Sequence, residues 1–338
     1  MGVADARISV ALGTHNGGVY VAQQVRSILH QSLAPLELVV GDDDSSDDTI
    51  AIIERVYDEA AALNPELPTR LTIIRRRPAL GVTANFAATL AACSGDLIAL
   101  SDQDDVWMPG KLAALGAAFD ADPTLLLAHS DARLVDRDGT SIGVSLLEAL
   151  EASADERAHL VAGDALPVLL RRNVVTGATV MLRRSLLESA APIPPQWVHD
   201  EWLAAIAAVV GRVRLVPEPL IDYRQHGANH IGARKPTTFD RWQRLREPRT
   251  DRAVRLARRA SLWAQRGREL GVTPNVQAQL DGKAAHESRR ARLPRFRLWR
   301  IPSIVAGALS GRYGRYSRGA IDLLRDIVQP AGKSGRGL

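Results

Sequence analysis

The chain has little cysteine and no long apolar run, and each of these features narrows the classes of protein to which it can belong. Its 338 residues include one cysteine, Cys93, so no disulfide can form within the chain, and we expect a reducing compartment. Residues 1–10 lack the basic start and apolar stretch of a secretory signal. The sequence contains no run of about 18 uncharged apolar residues, so no membrane-spanning helix is predicted. The sequence therefore predicts a cytoplasmic protein.

The charge is unevenly distributed along the chain. From Gly232 to the C-terminus there are 25 Lys and Arg residues against 8 Asp and Glu, whereas residues 1–231 carry 18 against 30. We therefore expect an acidic enzyme body followed by a basic tail. A basic tail is attracted to polyanions and to anionic membrane surfaces.

Short apolar runs alternate with segments of helical spacing over the first hundred residues. The predicted strands are residues 8–12, 36–40, 71–74 and 97–100, and the predicted helices are residues 19–30, 49–63 and 85–92. Further along, strands are predicted at residues 125–130, 174–182, 212–216 and 220–223, and a helix at 202–210. Such alternation is typical of an α/β domain with a largely parallel sheet. Ligands of these sheets bind beyond the carboxyl ends of the strands.

An acidic cluster follows the fourth predicted strand. Asp102, Asp104 and Asp105 lie within four residues directly after the apolar run 97–100. Carboxylates this close together repel one another unless a cation neutralises them. Mg²⁺ and Mn²⁺ prefer such oxygen ligands, together with substrate phosphates. The alternative interpretation is a solvated acidic turn.

Two other strand ends carry candidate ligand-binding residues. Asp42 and Asp43 could accept hydrogen bonds from a nucleotide, or belong to a calcium loop, although the EF-hand pattern is absent. Thr14 and His15 begin a glycine-containing loop that matches neither a dinucleotide-binding motif nor a P-loop, which argues against dehydrogenases and kinases. His15 could stack on a base or simply be solvated.

Two polar clusters lie further along the chain. Asp200 and Glu201 precede a predicted helix, where a carboxylate can serve as a general base or merely as a helix cap. Arg224 and His226 share one short segment. An arginine there could neutralise a diphosphate, and a histidine could bind a metal. Surface loops also carry such residues by chance.

In this order, the clusters resemble family 2 glycosyltransferases with the GT-A fold, and most closely rhamnosyltransferase-like enzymes of bacterial surface-polysaccharide assembly. The resemblance extends from Ile8 to Gly232. Its motifs are ISVALGTHNGG, VVGDDDSSDDT, LGVTANF, SGDLIALSDQDDVWMPGKL, VTGATVML, HDEW and YRQHGANHIG. It implies a catalytic domain over residues 1–232, with a donor half (about 1–107) and an acceptor half (about 108–232). Residues 233–338 then form a basic, mostly helical extension.

The resemblance also implies a role for each candidate residue. Inversion at the sugar carbon is expected, with Asp200 as the catalytic base. The donor nucleotide would be bound by Thr14, His15, Asn16, Asp42, Asp43 and Asp102. The metal, Mn²⁺ or Mg²⁺, would be bound by Asp104, Asp105 and His226, and the diphosphate by Arg224. Gly177, Glu201 and Trp202 would lie on the acceptor side.

The implied donor is a nucleotide-diphosphate sugar, with dTDP-rhamnose as the first expectation, and the implied acceptor is a hydroxyl of a cell-surface glycan or a lipid-linked acceptor. Three positions depart from the family pattern. His15 replaces a common aromatic residue, Asp44 stands where glycine is frequent, and Glu201 stands where an aromatic residue is common.

The basic extension lies mostly outside the resemblance. Residues 292–300 (RLPRFRLWR) mix arginine with apolar side chains, a composition that suits peripheral contact with the inner face of a membrane. A helical appendage on the catalytic domain and an oligomer surface are the alternatives. No nucleic-acid-binding motif accompanies the charge, so no nucleic acid partner is expected.

Two other functions are compatible with the acidic clusters. One is another metal-dependent nucleotide enzyme, such as a nucleotidyltransferase or a phosphatase. The other is a non-catalytic protein that binds nucleotide sugars.

Overall fold

The computed structural model describes residues 7–225 and 250–330. The chain divides into two compact units. Unit 1 comprises Met1–Ala165 and Val175–Arg234, and unit 2 comprises Leu166–Val174 and Lys235–Leu338. No helix among the described residues has the length and apolar character needed to cross a bilayer.

Unit 1 begins with strands and helices in strict alternation. Its first elements are β1 (Ile8–Thr14), α1 (Val21–Leu29), β2 (Glu37–Asp43), α2 (Thr49–Leu63), β3 (Arg70–Arg76), α3 (Val82–Ala92) and β4 (Leu97–Ser101). The apolar runs of β1, β2 and β4 are buried throughout, as expected of parallel strands covered on both faces. The predicted alternation is therefore confirmed, with each strand within a few residues of its expected bounds.

The remainder of unit 1 is less regular. It contains β5 (Val106–Trp107), α4 (Lys111–Ala121), β6 (Leu125–Val135), β7 (Ser141–Ser145), α5 (Leu146–Ala149), α6 (Ala154–Val161), β8 (Val180–Arg183), α8 (Leu186–Ala190), α9 (His199–Val210) and β9 (Arg212–Arg224). The predicted strand over residues 174–182 is wrong in its first half, because Gly177–Thr179 forms a 3₁₀ turn. Residues 212–223, predicted as two strands, form the single strand β9.

Within residues 7–225, nine strands form one sheet in the order β3-β2-β1-β4-β8-β6-β9-β5, with β7 paired to β6. The first four strands of this order are parallel to one another, as predicted. Beyond β4 the sheet is mixed, because β8 enters between β4 and β6 antiparallel to both, while β6 and β9 are parallel. The carboxyl ends of β1, β2 and β4 therefore meet at one edge of the sheet.

Unit 2 is helical among its described residues. Its elements are α7 (Leu166–Arg171), α10 (Thr250–Glu269), α11 (Pro274–Ala291), α12 (Ile301–Leu309), α13 (Arg312–Tyr316) and α14 (Ala320–Val328). Thr273 caps α11 by accepting a hydrogen bond from the backbone N–H of Val276, with Pro274 at the first helical position. A small apolar cluster of Leu293, Ile304 and Tyr313 holds the last helices together.

Candidate active site

The loops after β1 and β2 are joined by side-chain hydrogen bonds. The hydroxyl of Thr14 donates to Oδ1 of Asp42 at 2.8 Å, and the hydroxyl and backbone N–H of Ser45 donate to the same carboxylate. The amide oxygen of Asn16 accepts from the backbone N–H of Ser46 at 2.9 Å. Asp42 is buried, so its carboxylate organises these loops. Its predicted role in binding the nucleotide stays a prediction.

His15 is held by its neighbours on both sides. Its backbone N–H donates to Oε1 of Gln103 at 2.8 Å, and its carbonyl oxygen accepts from Nε2 of Gln103 at 3.0 Å. Nδ1 of His15 lies 2.6 Å from the carbonyl oxygen of Asp43. The imidazole therefore lies at the edge of the sheet where β1, β2 and β4 end. Gln103 had no predicted role, although it lies inside the acidic motif.

Asp43 anchors the loop that precedes α3. Its two carboxylate oxygens accept hydrogen bonds from the backbone N–H groups of Leu80 at 2.7 Å and Gly81 at 2.8 Å. Each carboxylate oxygen has a second lone pair, so these contacts leave acceptor capacity. Its predicted role at the nucleotide base stays a prediction.

The acidic loop after β4 has strongly perturbed electrostatics. Burial, with the charges of Asp104 and Asp200, raises the pKa of Asp102 to about 7. Burial, with the charges of Asp104 and Asp102, raises the pKa of Asp105 well above its usual range. Asp200 is almost a hundred residues downstream, so the fold gathers carboxylates from two distant segments. Carboxylates with pKa values raised by burial and by neighbouring charges are a feature of functional sites.

Lys111 is a buried cation beside this loop, and it had no predicted role. Its Nζ donates to the carbonyl oxygen of Ala178 at 2.6 Å and lies 3.7 Å from the centre of the Trp107 ring. Burial lowers the pKa of Lys111 to about 7, against the opposing charges of Asp105 and Asp102. Lys111 therefore connects the acidic loop to the turn at residues 177–179. Its position after SDQDDVWMPG was the only sequence signal.

Arg224 supports the acidic loop from inside the fold. Its guanidinium donates to the carbonyl oxygens of Asp104 and Arg137 and to Oε1 of Gln23, each at 2.8 Å. Its backbone N–H donates to Oδ1 of Asp105 at 3.0 Å. The side chain is buried and lies over the ring of Tyr20. Arg224 therefore supports the acidic loop from inside the fold, and its predicted contact with a diphosphate stays a prediction.

Asp200 lies in the first turn of α9, and two backbone donors orient its carboxylate. Oδ2 accepts from the N–H of Gly177 at 2.7 Å, and Oδ1 accepts from the N–H of Glu201 at 2.7 Å. A Cβ on Gly177 would lie 3.3 Å from Cβ and Oδ2 of Asp200. The structure thus brings Gly177 and Asp200 together, and Glu201 beside them is partly exposed.

Two aromatic contacts fix the start of α9. The imidazole of His199 stacks on Phe86 of α3, with ring centroids 4.0 Å apart. The indole of Trp202 is buried, and its Nε1 donates to the carbonyl oxygen of Ala190 at 2.7 Å. Trp202 therefore packs in the core, and its predicted place on the acceptor side stays a prediction.

The donor set suits a hard divalent cation. Within residues 7–225 and 250–330, no group of three or more His, Cys, Asp and Glu side chains is arranged to hold a metal alone. Mg²⁺ and Mn²⁺ need only one or two carboxylates when substrate phosphates supply the rest. Oδ2 of Asp105 is buried without a hydrogen-bond partner among the described residues, which leaves an oxygen for a cation. His226 lies outside the described residues.

Comparisons with known proteins agree with this geometry. Residues 9–143 match the family model described as Glycosyl transferase family 2. An uncharacterised glycosyltransferase of Nostoc sp. is 28% identical over 240 residues, which cover 69% of each chain. TarS of S. aureus, solved with UDP-GlcNAc, has a TM-score of 0.57 at 16% identity, over 95% of this chain and 90% of that one. A mannosyltransferase of Pyrobaculum calidifontis, solved with GDP-Man and Mn²⁺, has a TM-score of 0.53 at 18% identity, over 96% and 85%.

The sheet order and the two solved structures show the GT-A fold. Within this fold, residues 9–143 are similar to the Glycosyl transferase family 2 model. The chain is a glycosyltransferase.

Proposed function

We propose that the chain transfers a sugar from a nucleotide-diphosphate donor to a hydroxyl group, with inversion at the sugar carbon. The observation that carries the proposal is that Asp200, at the start of α9, lies close enough to the acidic loop after β4 for its charge to act on Asp102, beside Asp104. The acidic loop with Asp102 and Asp104 can hold the donor, while Asp200 accepts a proton. A rhamnosyl donor, dTDP-rhamnose, and a cell-surface glycan or lipid-linked acceptor are the specific proposals, and both rest on the motif resemblance.

The donor is proposed to lie against the loops after β1, β2 and β4. Thr14, His15 and Asn16 border the nucleotide, with Asp43 and Asp102 as acceptors for its base and ribose. Asp104, with Asp105, would hold Mn²⁺ or Mg²⁺, which would stabilise negative charge on the diphosphate leaving group. His226 is proposed as a further ligand. The solved relatives with UDP-GlcNAc and with GDP-Man and Mn²⁺ support this class of ligand.

Asp200 is proposed as the general base. Its carboxylate, held by the N–H groups of Gly177 and Glu201, takes the proton from the acceptor hydroxyl as the oxygen attacks the sugar carbon. The bond from that carbon to the diphosphate oxygen breaks on the opposite face. The nucleoside diphosphate leaves with the electron pair, so the sugar is inverted without a covalent enzyme intermediate. The acceptor is proposed to bind beside Gly177 and Glu201, next to this base.

A thermal-shift panel tests the donor class. Nucleoside diphosphates of thymidine, uridine and guanosine, each with and without Mn²⁺, should raise the melting temperature by mass action, with a larger shift for tighter binding at equal concentration. The dTDP proposal requires the thymidine compound to give the largest shift, and it is overturned if uridine or guanosine diphosphate does so. Chelation of the cation should abolish the shift, and a shift that survives EDTA contradicts the metal role.

The product released from a donor sugar separates the competing functions. A transferase releases nucleoside diphosphate in a cation-dependent reaction, and the new glycosidic bond has the opposite anomeric configuration to the donor. Release of pyrophosphate instead would identify a nucleotidyltransferase. Binding with no turnover on any acceptor, unchanged by Asp104→Ala and Asp200→Ala, would identify a binding protein.

A further inference from the structure

Unit 2 carries a cluster of water-exposed apolar side chains that the proposed reaction does not use. Among the described residues, nine of the sixteen large hydrophobic side chains that are exposed lie between Phe296 and Val328. Phe296, Leu298 and Trp299 are 73%, 76% and 73% exposed. Residues 295–300 and Pro330 line a surface depression. Contiguous exposed apolar surface of this kind marks a contact site; residues 295–309 are called the Trp299 face below.

The fold holds the first part of the Trp299 face outward. The guanidinium of Arg300 is buried and donates to the carbonyl oxygens of Pro294, Arg295, Asp326 and Gln329 at 2.8–3.0 Å. These four bonds tie the segment before the turn at residues 298–300 to the C-terminal end of α14. The apolar side chains before Arg300 therefore project from a fixed turn.

Helix α12 also exposes apolar side chains to solvent. Its inner face buries Ile304 and Gly307. Ile301, Val305 and Leu309 are exposed and recur every four residues, so they form one stripe along the helix. An apolar stripe beside exposed aromatic residues is the pattern of a helix that lies in a membrane interface.

The charge around this face has one sign. Arg292, Arg295 and Arg297 are exposed. Between residues 288 and 330 the acidic side chains are Asp322 and Asp326, and both are buried. Asp326 accepts from Nε of Arg290 at 2.7 Å, and Asp322 lies 3.6 Å from the same guanidinium. The outward charge of this segment is therefore positive.

We propose that the Trp299 face docks onto the surface of a membrane that contains anionic lipid. Tryptophan and phenylalanine favour the headgroup boundary, aliphatic side chains enter the acyl region, and arginines bind lipid phosphates. An acidic protein or a nucleic acid would engage the arginines but leave the stripe of Ile301, Val305 and Leu309 in water. The combination of both features favours the membrane.

Flotation with vesicles tests the proposal on the full chain. The chain should float with vesicles of phosphatidylcholine and phosphatidylglycerol, float weakly with phosphatidylcholine alone, and be released by salt. The double substitution Phe296→Ser/Trp299→Ser should lower the partition coefficient by about tenfold or more. Arg297→Glu should lower it by about fivefold or more on the anionic vesicles only.

Matched variants separate docking from general loss of surface apolarity or charge. Leu63→Ser/Ile142→Ser removes two exposed side chains from unit 1, and Arg55→Glu reverses an exposed charge there; both should float like the parent chain. Leu309→Ser, at a side chain 86% exposed, gives a second test should the double variant unfold. Vesicles with brominated acyl chains should quench the parent's tryptophan fluorescence more than that of Trp299→Phe.

Equal flotation on neutral and anionic vesicles, or unchanged flotation of both face variants, overturns the proposal. Concentration-dependent dimerisation that Phe296→Ser/Trp299→Ser abolishes, without vesicle binding, would show instead that the face joins two copies of the chain. Binding of nucleic acid that Arg297→Glu abolishes and the apolar variants leave intact would also overturn it.

Discussion

The backbone N–H of Gly177 donates to Oδ2 of Asp200 at 2.7 Å, and the space a side chain would need at residue 177 is filled by the same carboxylate. The 3₁₀ turn at residues 177–179 therefore packs closely against the start of α9. The orientation of the proposed base depends on a residue without a Cβ.

Gly177→Ala should impair turnover more than folding. The added Cβ would lie 3.3 Å from Oδ2 of Asp200 and 3.4 Å from Nε2 of His199, so both must move by a few tenths of an ångström. Such misplacement of a reacting group should lower kcat by about tenfold or more, with little change in donor KM. Gly314→Ala, where nothing lies within 4 Å, should keep the parent kcat. Parent-like kcat in Gly177→Ala would refute the positional role.

Asp200→Asn should abolish transfer while donor binding persists. General base catalysis contributes about 10²–10⁴-fold, and asparagine keeps an oxygen acceptor for the N–H of Gly177 but takes up no proton. Steady-state transfer rates, compared with thermal shifts by nucleoside diphosphate, measure the two effects separately. Glu201→Gln is the neighbouring control and should change kcat only a few-fold. If Glu201→Gln is the more damaging variant, the base is Glu201.

Lys111→Met should destabilise unit 1. It removes the buried cation beside Asp102 and Asp105 and leaves the carbonyl oxygen of Ala178 without its donor. Loss of one partner from a buried charge cluster costs about 3 kcal/mol, which urea denaturation resolves. The double variant Lys111→Met/Asp105→Asn should recover part of the loss, because it removes one uncompensated carboxylate. Equal stability of parent and Lys111→Met would contradict this role.

Arg224→Lys discriminates a supporting role from a diphosphate-binding role. A lysine ammonium cannot reach the carbonyl oxygens of Asp104 and Arg137 and the Gln23 amide together, so buried acceptors lose their donors and stability should fall by about 2 kcal/mol. Arg133→Lys, at the half-exposed pair with Asp222, should cost less than about 1 kcal/mol. A large rise in donor KM with unchanged stability would instead support the predicted contact of Arg224 with the diphosphate.

Acid should weaken the fold partly through His129. Burial lowers the pKa of this β6 histidine to about 4, while the unfolded chain binds the proton near pH 6.5. The neutral imidazole therefore stabilises the fold fully above about pH 6.5, and this contribution is lost as the pH falls from 6.5 to 4, up to about 3 kcal/mol. His129→Leu should show a flatter dependence of urea unfolding free energy on pH. An unchanged slope would exclude His129 as a source.

Local sequence signals predicted the first half of unit 1 well. The buried strand β4 and the acidic loop after it follow from one apolar run and the carboxylates that interrupt it. The predicted strand over residues 174–182 was partly wrong, because the apolar pattern of these residues does not show that the chain turns at Gly177 toward Asp200. Asp44 adopts a left-handed backbone with φ 65°, which explains why glycine is common at this position in the family pattern.

The sequence by itself determined the α/β alternation, the acidic strand ends and the resemblance to family 2 glycosyltransferases, because each depends on residues close together in the chain. Only the tertiary structure decided which charged side chains are used inside the fold. Arg224, predicted to bind the donor, donates hydrogen bonds to carbonyl and amide oxygens inside the fold. Asp42, also predicted to bind the donor, accepts hydrogen bonds from hydroxyl and backbone N–H groups of the neighbouring loops. Lys111 had no predicted role and lies beside the acidic loop. Burial and distant partners set these roles, and neither can be read from local spacing.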